Sequence, residues 1–350
     1  MKRATKIAAL AGAAALLLTL TACGNDEGAA DGFLPCIVSD GGGFNDRSFN
    51  QSGLEGIQKA ADTLGVEYIP VQSVSDADFA PNIQSLIDQG CTFIVTIGFQ
   101  LASATEEKAA ANPDINFAIV DFDASGAGLD NLKSLVFNTA EAAFLAGYLS
   151  AGVSEAGIIG TFGGMNFPTV SVFMDGFAQG AAHHNAVHGT NVQVVGWDRA
   201  AQDGSFTGGF QANEQARQTA QQIIDQGVDV LLPVGGPIYQ PAMAAINDSG
   251  RDIMLLGVDQ DFFYSDPTTR DILLTSILKD ITVAVNDATL AAGRGEFAAT
   301  TYIGTLENGG VGIAPFHNLA NRVSDDLAAR VEALREGIIN GTIAVESYLD

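Results

Sequence analysis

The stretch Ser39-Asp-Gly-Gly-Gly-Phe-Asn-Asp-Arg-Ser-Phe-Asn50 concentrates side chains that could hold a ligand. Its glycines let the backbone approach a ligand closely, and its amides, carboxylates, hydroxyls and rings supply donors, acceptors and apolar faces. An apolar run at 33–38 precedes the stretch, and residues 51–64 follow it with apolar side chains at helical spacing. We therefore expect a strand-to-helix loop, and in open α/β sheets such loops build the ligand site.

The elements around this loop alternate between apolar strands and amphipathic helices. The strands are continuous runs of Val, Ile, Leu and Phe, which is typical of parallel strands covered by helices on both faces. This pattern predicts an α/β fold with doubly wound, Rossmann-like parallel sheets. The predicted strands are 34–39, 67–72, 92–97, 116–121, 133–137, 157–162, 192–197, 228–234, 253–258 and, after a link, 272–278.

The sequence repeats itself after about 137 residues. Ile87-Asp-Gln-Gly90 precedes one predicted strand as Ile224-Asp-Gln-Gly227 precedes another, and residues 114–121 resemble residues 252–259 in the same order. Two similar domains in tandem are therefore expected. If their carboxyl strand ends face each other, Asp121 and Asp259 lie on opposite walls of one cleft. The alternative for either aspartate is a turn or helix-capping residue.

We predict the following division of the chain. Residues 33–138 plus about 262–293 form an N-terminal α/β domain, and residues 139–261 plus about 300–350 form a C-terminal one. Several crossovers between them would make a hinge, which suits closure around a ligand.

The first 22 residues read as an export signal, with Lys2, Arg3 and Lys6 ahead of an apolar run and small residues behind it. Leu20-Thr-Ala-Cys23 fits a bacterial lipobox, in which Cys23 is lipidated, and residues 23–32 would be a tether. The alternatives are an ordinary signal peptide and a membrane helix, although the run is short for a span. We expect a lipid-anchored protein on the extracytoplasmic face of the cell membrane.

Charge and cysteine content narrow the possible ligands and environment. Without residues 1–22 the chain has 13 basic residues against 41 acidic ones, a formal net charge of −28, which argues against nucleic acid as a partner. Cys36 and Cys91 each lie near the start of a predicted strand. They could form a disulfide if those strands are neighbours, or remain two buried thiols.

The predicted cleft is rich in carboxylates and poor in cations. Asp46, Asp121 and Asp259 are candidate residues for binding the small molecule, and Lys279 is the one basic residue among the candidates. Such a site repels phosphates and suits a neutral molecule with many donors, such as a sugar or a nucleoside, whose diol a carboxylate can bind. The aromatic residues that could stack on a flat ring include Phe49, Phe173 and Tyr239.

Five segments in order resemble the basic membrane protein (Bmp/PnrA-like) family of lipoproteins over nearly the whole mature chain. They are Gly43–Asn50, Phe162-Gly-Gly with Phe173–Phe177, Gly257-Val-Asp259, Thr275–Lys279 and Gly310–Phe316. The resemblance implies a type I periplasmic binding protein fold with a multi-crossover hinge. It also implies a substrate-binding component of an ABC importer whose ligands are purine and other nucleosides.

The same resemblance implies roles for individual residues. It places Asn45 and Asp46 at the base, with Asp121 on the base side, and Asp259 and Lys279 at the ribose. A glycine loop matching Gly235-Gly236 would lie nearby. Two departures stand out: Leu54 occupies a position that is often aromatic in the family, and Pro237 and Tyr239 follow the glycine loop.

The expected function is a lipid-anchored receptor that binds a nucleoside between its domains and delivers it to ABC permease subunits, without cofactor or catalytic residues. One alternative is a receptor for a sugar or another small neutral signal molecule. Another is a nucleoside hydrolase, for which Asp40, Asp46 and Asp121 would have to bind calcium, although common enzyme motifs are absent. His183, His184 and His188 include an i, i+4 pair that could bind zinc, but an exposed helix end explains them more simply.

Overall fold

A computed structural model of the chain describes residues 29–349. The predicted signal peptide, Cys23 and most of the tether lie outside the described residues. No helix in the described part is long and apolar enough to cross a membrane.

Fourteen strands are found in residues 29–349 and fall into two large sheets and one hairpin. They are β1 (Pro35–Val38), β2 (Ile69–Val71), β3 (Phe93–Ile97), β4 (Asn116–Val120), β5 (Leu132–Phe137), β6 (Ile158–Gly163), β7 (Gln193–Val195), β8 (Trp197–Asp198), β9 (Asp203–Gly204), β10 (Val230–Val234), β11 (Met254–Asp259), β12 (Leu273–Lys279), β13 (Tyr302–Gly304) and β14 (Val311–Ile313).

Ten α-helices surround the sheets in the same part of the chain. They are α1 (Phe49–Leu64), α2 (Phe79–Asp88), α3 (Ala102–Ala111), α4 (Thr139–Val153), α5 (Pro168–His188), α6 (Glu214–Ile224), α7 (Tyr239–Ser249), α8 (Phe262–Ser265), α9 (Ile281–Gly293) and α10 (Asp325–Ile339).

The two large sheets have equivalent strand orders, β2-β1-β3-β4-β5-β13 and β7-β6-β10-β11-β12-β14. Every pairing in them is parallel except that of β12 with β14. The central strands β1, β3 and β10 are buried at every position, as their uninterrupted apolar sequences predict. The predicted α/β fold of two doubly wound parallel sheets is confirmed.

The chain crosses between the two domains three times, and this distributes segments differently from the predicted division. After β5 it enters α4, which packs on α5 of the second domain, and after β12 it enters α9, which packs on α1 of the first. The third crossing joins β13 to β14. Strand β12 therefore lies in the second sheet, and the prediction that residues 262–293 belong to the first domain is wrong for this strand. Strand β13 lies in the first sheet, and the prediction that residues 300–350 belong to the second domain is wrong for it. An apolar strand sequence fits either sheet equally well, so only the path of the chain distinguishes them.

The exchanged helices are held by close backbone contacts at small residues. A side chain at Gly147 of α4 would overlap the carbonyl oxygen of Phe177 in α5, and one at Gly56 of α1 would lie 2.6 Å from the carbonyl oxygen of Thr282 in α9. Each domain thus buries a helix that follows the other domain's fifth strand. The connections that enter α4 and α9 therefore begin on one domain and end on a helix packed in the other, and these connections form the hinge region.

A disulfide joins Cys36 and Cys91 in the first domain. Cys36 lies in β1, and Cys91 lies two residues before β3, the neighbouring strand. The sequence was compatible with either a disulfide or two buried thiols, and the structure shows the disulfide because the two strands are neighbours.

Candidate functional site

A cavity between the two domains is lined by residues from the carboxyl ends of strands in both sheets. The space between its walls is about 560 Å³, including the part open to solvent. Strands β1, β3 and β4 contribute loops from one side, and β10, β11 and β12 from the other. This is the position at which doubly wound sheets hold ligands.

The first-domain loop places Asp46 at the start of α1. Its carboxylate accepts hydrogen bonds from the backbone N–H groups of Ser48 (3.0 Å), Asn50 (2.8 Å) and Gln51 (3.1 Å), and it is almost fully buried. Burial raises the pKa of Asp46, and these backbone hydrogen bonds counteract part of that rise. A carboxylate at a helix N-terminus stabilises the free N–H groups of the first turn.

Asp121 and Asp259 occupy equivalent positions at the ends of β4 and β11. Both have φ = 67°, a left-handed conformation that is unfavourable for a residue with a side chain. Both are buried, and both line the cavity. Backbone strain of this kind persists only where the surrounding structure imposes it, and it clusters at functional sites.

Lys279, at the end of β12, lies between these two aspartates and is 3 % exposed. Its Nζ is 2.7 Å from Asp121 Oδ2 and 4.0 Å from Asp259 Oδ1, so it bridges carboxylates of both domains. Burial raises the pKa of Asp121 and of Asp259, and the ammonium group of Lys279 opposes that rise. The ammonium group also lies over the rings of Phe49 (4.9 Å) and Phe173 (5.6 Å).

Side chains of the first-domain loop reach directly across to the second domain. Ser48 Oγ lies 2.6 Å from Asp259 Oδ2 and donates a hydrogen bond to it. Arg47, which has φ = 56°, forms an ion pair with the buried Asp266 at 2.6 Å. The loop therefore belongs to the first domain but fixes the position of a second-domain carboxylate.

Three further phenylalanines form an aromatic wall of the cavity. The ring centroids of Phe99 and Phe167 are 5.4 Å apart, and those of Phe167 and Phe210 are 6.2 Å apart. Gly235, with φ = 141°, makes room for this wall, because a methyl group there would lie 2.8 Å from Phe210 Cδ1. The sequence interpretation missed Phe167 and Phe210 as site residues. The available signal for Phe210 was the long link 196–213, which has no counterpart between β2 and α2.

The structure brings most of the predicted site residues to this cavity. Those that line it are Asp46, Phe49, Asp121, Phe173, Gly235, Gly236, Asp259 and Lys279. Asp40, which the sequence interpretation considered only as a calcium ligand, also lines it. Their roles in binding remain predictions, because their placement alone does not test them.

Asn45 and Tyr239 do not reach the cavity. Asn45 is exposed on the outer side of the loop, since Asp46 next to it turns inward to the start of α1. Tyr239 is buried: its hydroxyl donates to Asp266 (2.7 Å) and its ring lies 4.2 Å from that of Phe262. Leu54 is also absent from the lining, so the cavity draws its aromatic faces from other positions.

The histidines of α5 form a cluster that does not line the cavity. The rings of His184 and His188 are 4.5 Å apart, and Tyr148 Oη lies 2.8 Å from His188 Nε2. Within residues 29–349 no group of three or more His, Cys, Asp or Glu side chains is arranged to hold a metal ion.

Comparison with solved structures supports the fold. A solute-binding protein of an ABC transporter system from Aeropyrum pernix K1 matches 91 % of this chain and 94 % of its own, with a TM-score of 0.80 and 24 % identity. A putative LacI-family repressor from Corynebacterium glutamicum matches 81 % of this chain and 97 % of its own, with a TM-score of 0.57 and 15 % identity. Both likenesses concern the fold alone.

Sequence comparison identifies relatives along most of the chain. The "ABC transporter nucleoside-binding protein BmpA" of Lactococcus lactis subsp. cremoris is 30 % identical over 89 % of this chain and 88 % of its own. "Basic membrane protein A" of Borreliella burgdorferi is 29 % identical over 87 % and 86 %. The model of the Bmp family, described as ABC transporter substrate-binding protein PnrA-like, matches residues 35–348. The chain therefore belongs to the Bmp family of ABC transporter substrate-binding proteins.

Proposed function

We propose that this protein is a nucleoside receptor that captures its ligand between the two domains and delivers it to the permease of an ABC importer. The observation that carries the proposal is the arrangement of Asp121, Lys279 and Asp259 beside Phe49 and Phe173 in one buried cavity. The name of the Lactococcus lactis relative points to the same class of ligand. The resemblance of the site segments further favours purine nucleosides.

The arrangement suits the two parts of a nucleoside. Asp259 can accept both hydrogen bonds of a vicinal diol, and Lys279 can donate to a ribose oxygen, since Lys279 lies within 4.0 Å of Asp259. The rings at the cavity provide flat apolar surfaces on which a base can stack. The carboxylates outnumber the single lysine in the lining, so a phosphorylated ligand would be repelled.

Binding of this kind requires no chemical step. Hydrogen bonds, stacking and closure of the two domains about the three crossings suffice, and a binding role agrees with membership in a solute-binding family. Ser48 and Arg47 join the first-domain loop to the second domain when the domains are closed. The closed form would then be the one that carries the ligand to the permease.

The location proposed for the protein is the outer side of the cytoplasmic membrane. Cys23 would carry the lipid, and residues 24–28 together with the first described residues would form the tether. Growing cells that express the full-length protein with a radioactive fatty acid tests the lipidation of Cys23. The wild-type protein should become labelled, and the Cys23→Ala variant should not.

Calorimetry with inosine, guanosine, adenosine, uridine, cytidine and free ribose tests the ligand class. We expect purine nucleosides to bind and ribose not to bind detectably. Asp259→Asn should weaken nucleoside binding about a hundredfold, because losing a charged acceptor for two hydrogen bonds costs about 3 kcal/mol. Asp62→Asn makes the same charge change on the exposed face of α1 and should leave affinity unchanged.

Two outcomes would contradict the proposal. Tight binding of a free sugar with no binding of any nucleoside would show that the ligand is a sugar and not a nucleoside. Unchanged nucleoside affinity in Asp259→Asn, with a wild-type melting temperature, would remove this carboxylate from the site.

A further inference from the structure

Helix α5 of the second domain begins at the cavity without a side-chain cap. Its N-cap residue is Phe167, whose side chain has no hydrogen-bonding group, and its first helical residue is Pro168, which has no N–H group. The first backbone N–H of the helix is that of Thr169, and no described residue accepts a hydrogen bond from it. The start of this 21-residue helix therefore has a free donor at the positive end of its dipole.

The equivalent helix of the first domain, α1, is capped within the protein. The two helices correspond because α1 follows β1 and α5 follows β6, which have the same place in the strand order. The carboxylate of Asp46 accepts hydrogen bonds from three backbone N–H groups at the start of α1. No such carboxylate caps α5. An acceptor on a bound ligand can take that place, since helix N-termini bind groups with negative charge.

The hydroxyl group of Thr169 is a second unused donor at the same point. Thr169 is 7 % exposed and lines the cavity, and its Oγ1 has no hydrogen bond to any described residue. Within residues 29–349, Asn138 Oδ1 is the only fully enclosed side-chain nitrogen or oxygen without a partner. The unpaired hydroxyl of Thr169 is therefore not enclosed by protein, and it opens to the cavity that Thr169 lines.

The other side-chain donors of the lining already have acceptors in the protein. Asn50 Nδ2 donates to two carboxylates of the first-domain loop, at 2.7 and 3.0 Å. Gln100 Nε2 donates to Asp76 (3.1 Å). Lys279 Nζ donates to Asp121 (2.7 Å). Since the remaining polar side chains of the lining are carboxylates, which accept hydrogen bonds, the start of α5 is where the cavity has donors to spare for an acceptor of the ligand.

The place of Thr169 along α5 puts it at the base of the bound nucleoside. Phe167, two residues earlier, belongs to the aromatic wall of the cavity. Phe173, four residues later, has its ring 5.6 Å from Lys279 Nζ, on the side proposed for the ribose. One helical turn of about 5 Å separates Thr169 from that side. Thr169 therefore lies between the ribose and the wall, beside the edge of a stacked base.

We propose that Thr169 and the uncapped start of α5 donate hydrogen bonds to a carbonyl oxygen on the edge of the base, so that the receptor prefers a base with a carbonyl group at this position over one with an amino group. This inference rests on the proposed function and specifies the base. A carbonyl oxygen accepts from the hydroxyl and the backbone N–H together, and its partial negative charge suits the start of a helix. An amino group would bring N–H against N–H and leave the helix donor without an acceptor.

The experiment measures by calorimetry the affinities for inosine, adenosine and purine riboside. Inosine carries a carbonyl group at C6 of its base, adenosine carries an amino group there, and purine riboside carries only hydrogen. Wild type should bind inosine at least about tenfold more tightly than either of the others, because only inosine provides an acceptor for the start of α5.

Three variants separate the hydroxyl of Thr169 from the rest of the site. Thr169→Val removes the hydroxyl at nearly constant volume, so it should weaken inosine binding about tenfold and leave purine riboside binding unchanged. Thr169→Ser keeps the hydroxyl and should keep the wild-type ratio of the two affinities. Thr63→Val makes the same change on the exposed face of α1 and should match wild type with every ligand.

Three results would overturn the inference. One is a wild type that binds purine riboside or adenosine as tightly as inosine, and another is a Thr169→Val variant with wild-type affinity for inosine. The third is an equal loss for inosine and purine riboside in Thr169→Val, which would place the hydroxyl at the ribose. If Thr169→Val does not fold, Thr169→Ala is measured instead, with the same expectations. Absence of any nucleoside binding by folded wild type would contradict the proposed function itself, which distinguishes that failure from failure of the Thr169 contact.

Discussion

The two domains share one frame down to single hydrogen bonds, yet they differ at the residue that ends the fifth strand. Ser134 Oγ in β5 accepts from the N–H of Ala124 (2.8 Å), and Ser276 Oγ in β12 accepts from the N–H of Phe262 (3.1 Å). At the end of the strands the first domain has Phe137 and the second has Lys279. The shared frame sets where side chains point, and the lysine at this one position adds a positive charge to a lining that otherwise carries carboxylates.

The same comparison explains why the two strand-end aspartates are not interchangeable. Asp121 and Asp259 have the same φ of 67°, but Lys279 approaches Asp121 to 2.7 Å and Asp259 only to 4.0 Å. Asp259 instead accepts from Ser48 of the other domain. Duplication therefore supplied two equivalent carboxylates, and the surrounding substitutions gave them different partners. Asp121 is held by the ion pair with Lys279, while Asp259 is held by the hydroxyl group of Ser48.

Lys279→Met should have the largest effect on stability. It places an apolar side chain at the end of β12, where the corresponding residue of β5 is also apolar. It leaves the buried carboxylate of Asp121 without its partner, and loss of one member of a buried pair costs about 3–5 kcal/mol. Chemical denaturation at pH 8 measures this loss. The deficit should shrink at lower pH, because the unpaired Asp121 then takes up a proton.

The second change Asp121→Asn should restore much of the stability of Lys279→Met. Lys59→Met is the matched control, since Lys59 is exposed on α1, and it should change stability by at most about 0.5 kcal/mol. A loss in Lys279→Met that Asp121→Asn fails to relieve would show that the ion pair is not what Lys279 contributes.

The disulfide is the next largest difference between the domains. Cys36 and Cys91 join neighbouring strands of the first sheet across a separation of 55 residues, and the full sequence has no cysteine in the second domain. Reduction should cost about 2–4 kcal/mol of stability, because it frees the unfolded chain from a cross-link. Hydrogen exchange should show faster opening of β1 and β3 and an unchanged rate in β6 and β10. Equal acceleration in both sheets would mean that the domains unfold as one unit.

Ser48→Ala tests the smallest difference between the two strand-end aspartates. It removes the hydrogen bond that Ser48 of the first domain donates to Asp259, which Asp121 lacks. Loss of a hydrogen bond to a charged acceptor should weaken nucleoside binding about tenfold, or about 1.4 kcal/mol. A 2′,3′-dideoxynucleoside lacks the diol, so its weaker binding should be insensitive to the substitution. Ser52→Ala removes a hydroxyl that donates only to the backbone carbonyl of Ser48, and it should not discriminate between the two ligands. If Ser48→Ala weakened the affinity for both ligands equally, Ser48 would have no role in binding the diol.

The position of the site was predictable because it follows from repeating patterns. The offset of the repeated segments indicated two domains, and parallel strands place their carboxyl ends on one edge, so Asp121, Asp259 and the loop before α1 were expected to meet. Lys279 was predicted from the resemblance and also reaches this cavity. The loop itself was identified correctly as the strand-to-helix connection.

The details that could not be predicted concern which way a neighbouring side chain points. Asn45 and Asp46 are adjacent in a turn, yet only Asp46 faces inward, because it bonds the first turn of α1. Tyr239 follows the glycine loop as expected, but its hydroxyl is bound to Asp266. Phe210 comes from a link with no regular pattern and reaches the cavity through the space that Gly164 and Gly235 leave.

The sequence alone determined the fold class, the duplication and the end of the sheets at which the site lies, because these depend on apolar periodicity and on residue types repeated along the chain. The tertiary structure alone decided that β12 belongs to the second sheet, that Cys36 and Cys91 are joined, and that Lys279 of β12 pairs with Asp121 of the other domain. These facts depend on distances between residues far apart in sequence. Local patterns do not encode such distances, since they are fixed only when the two domains pack and close.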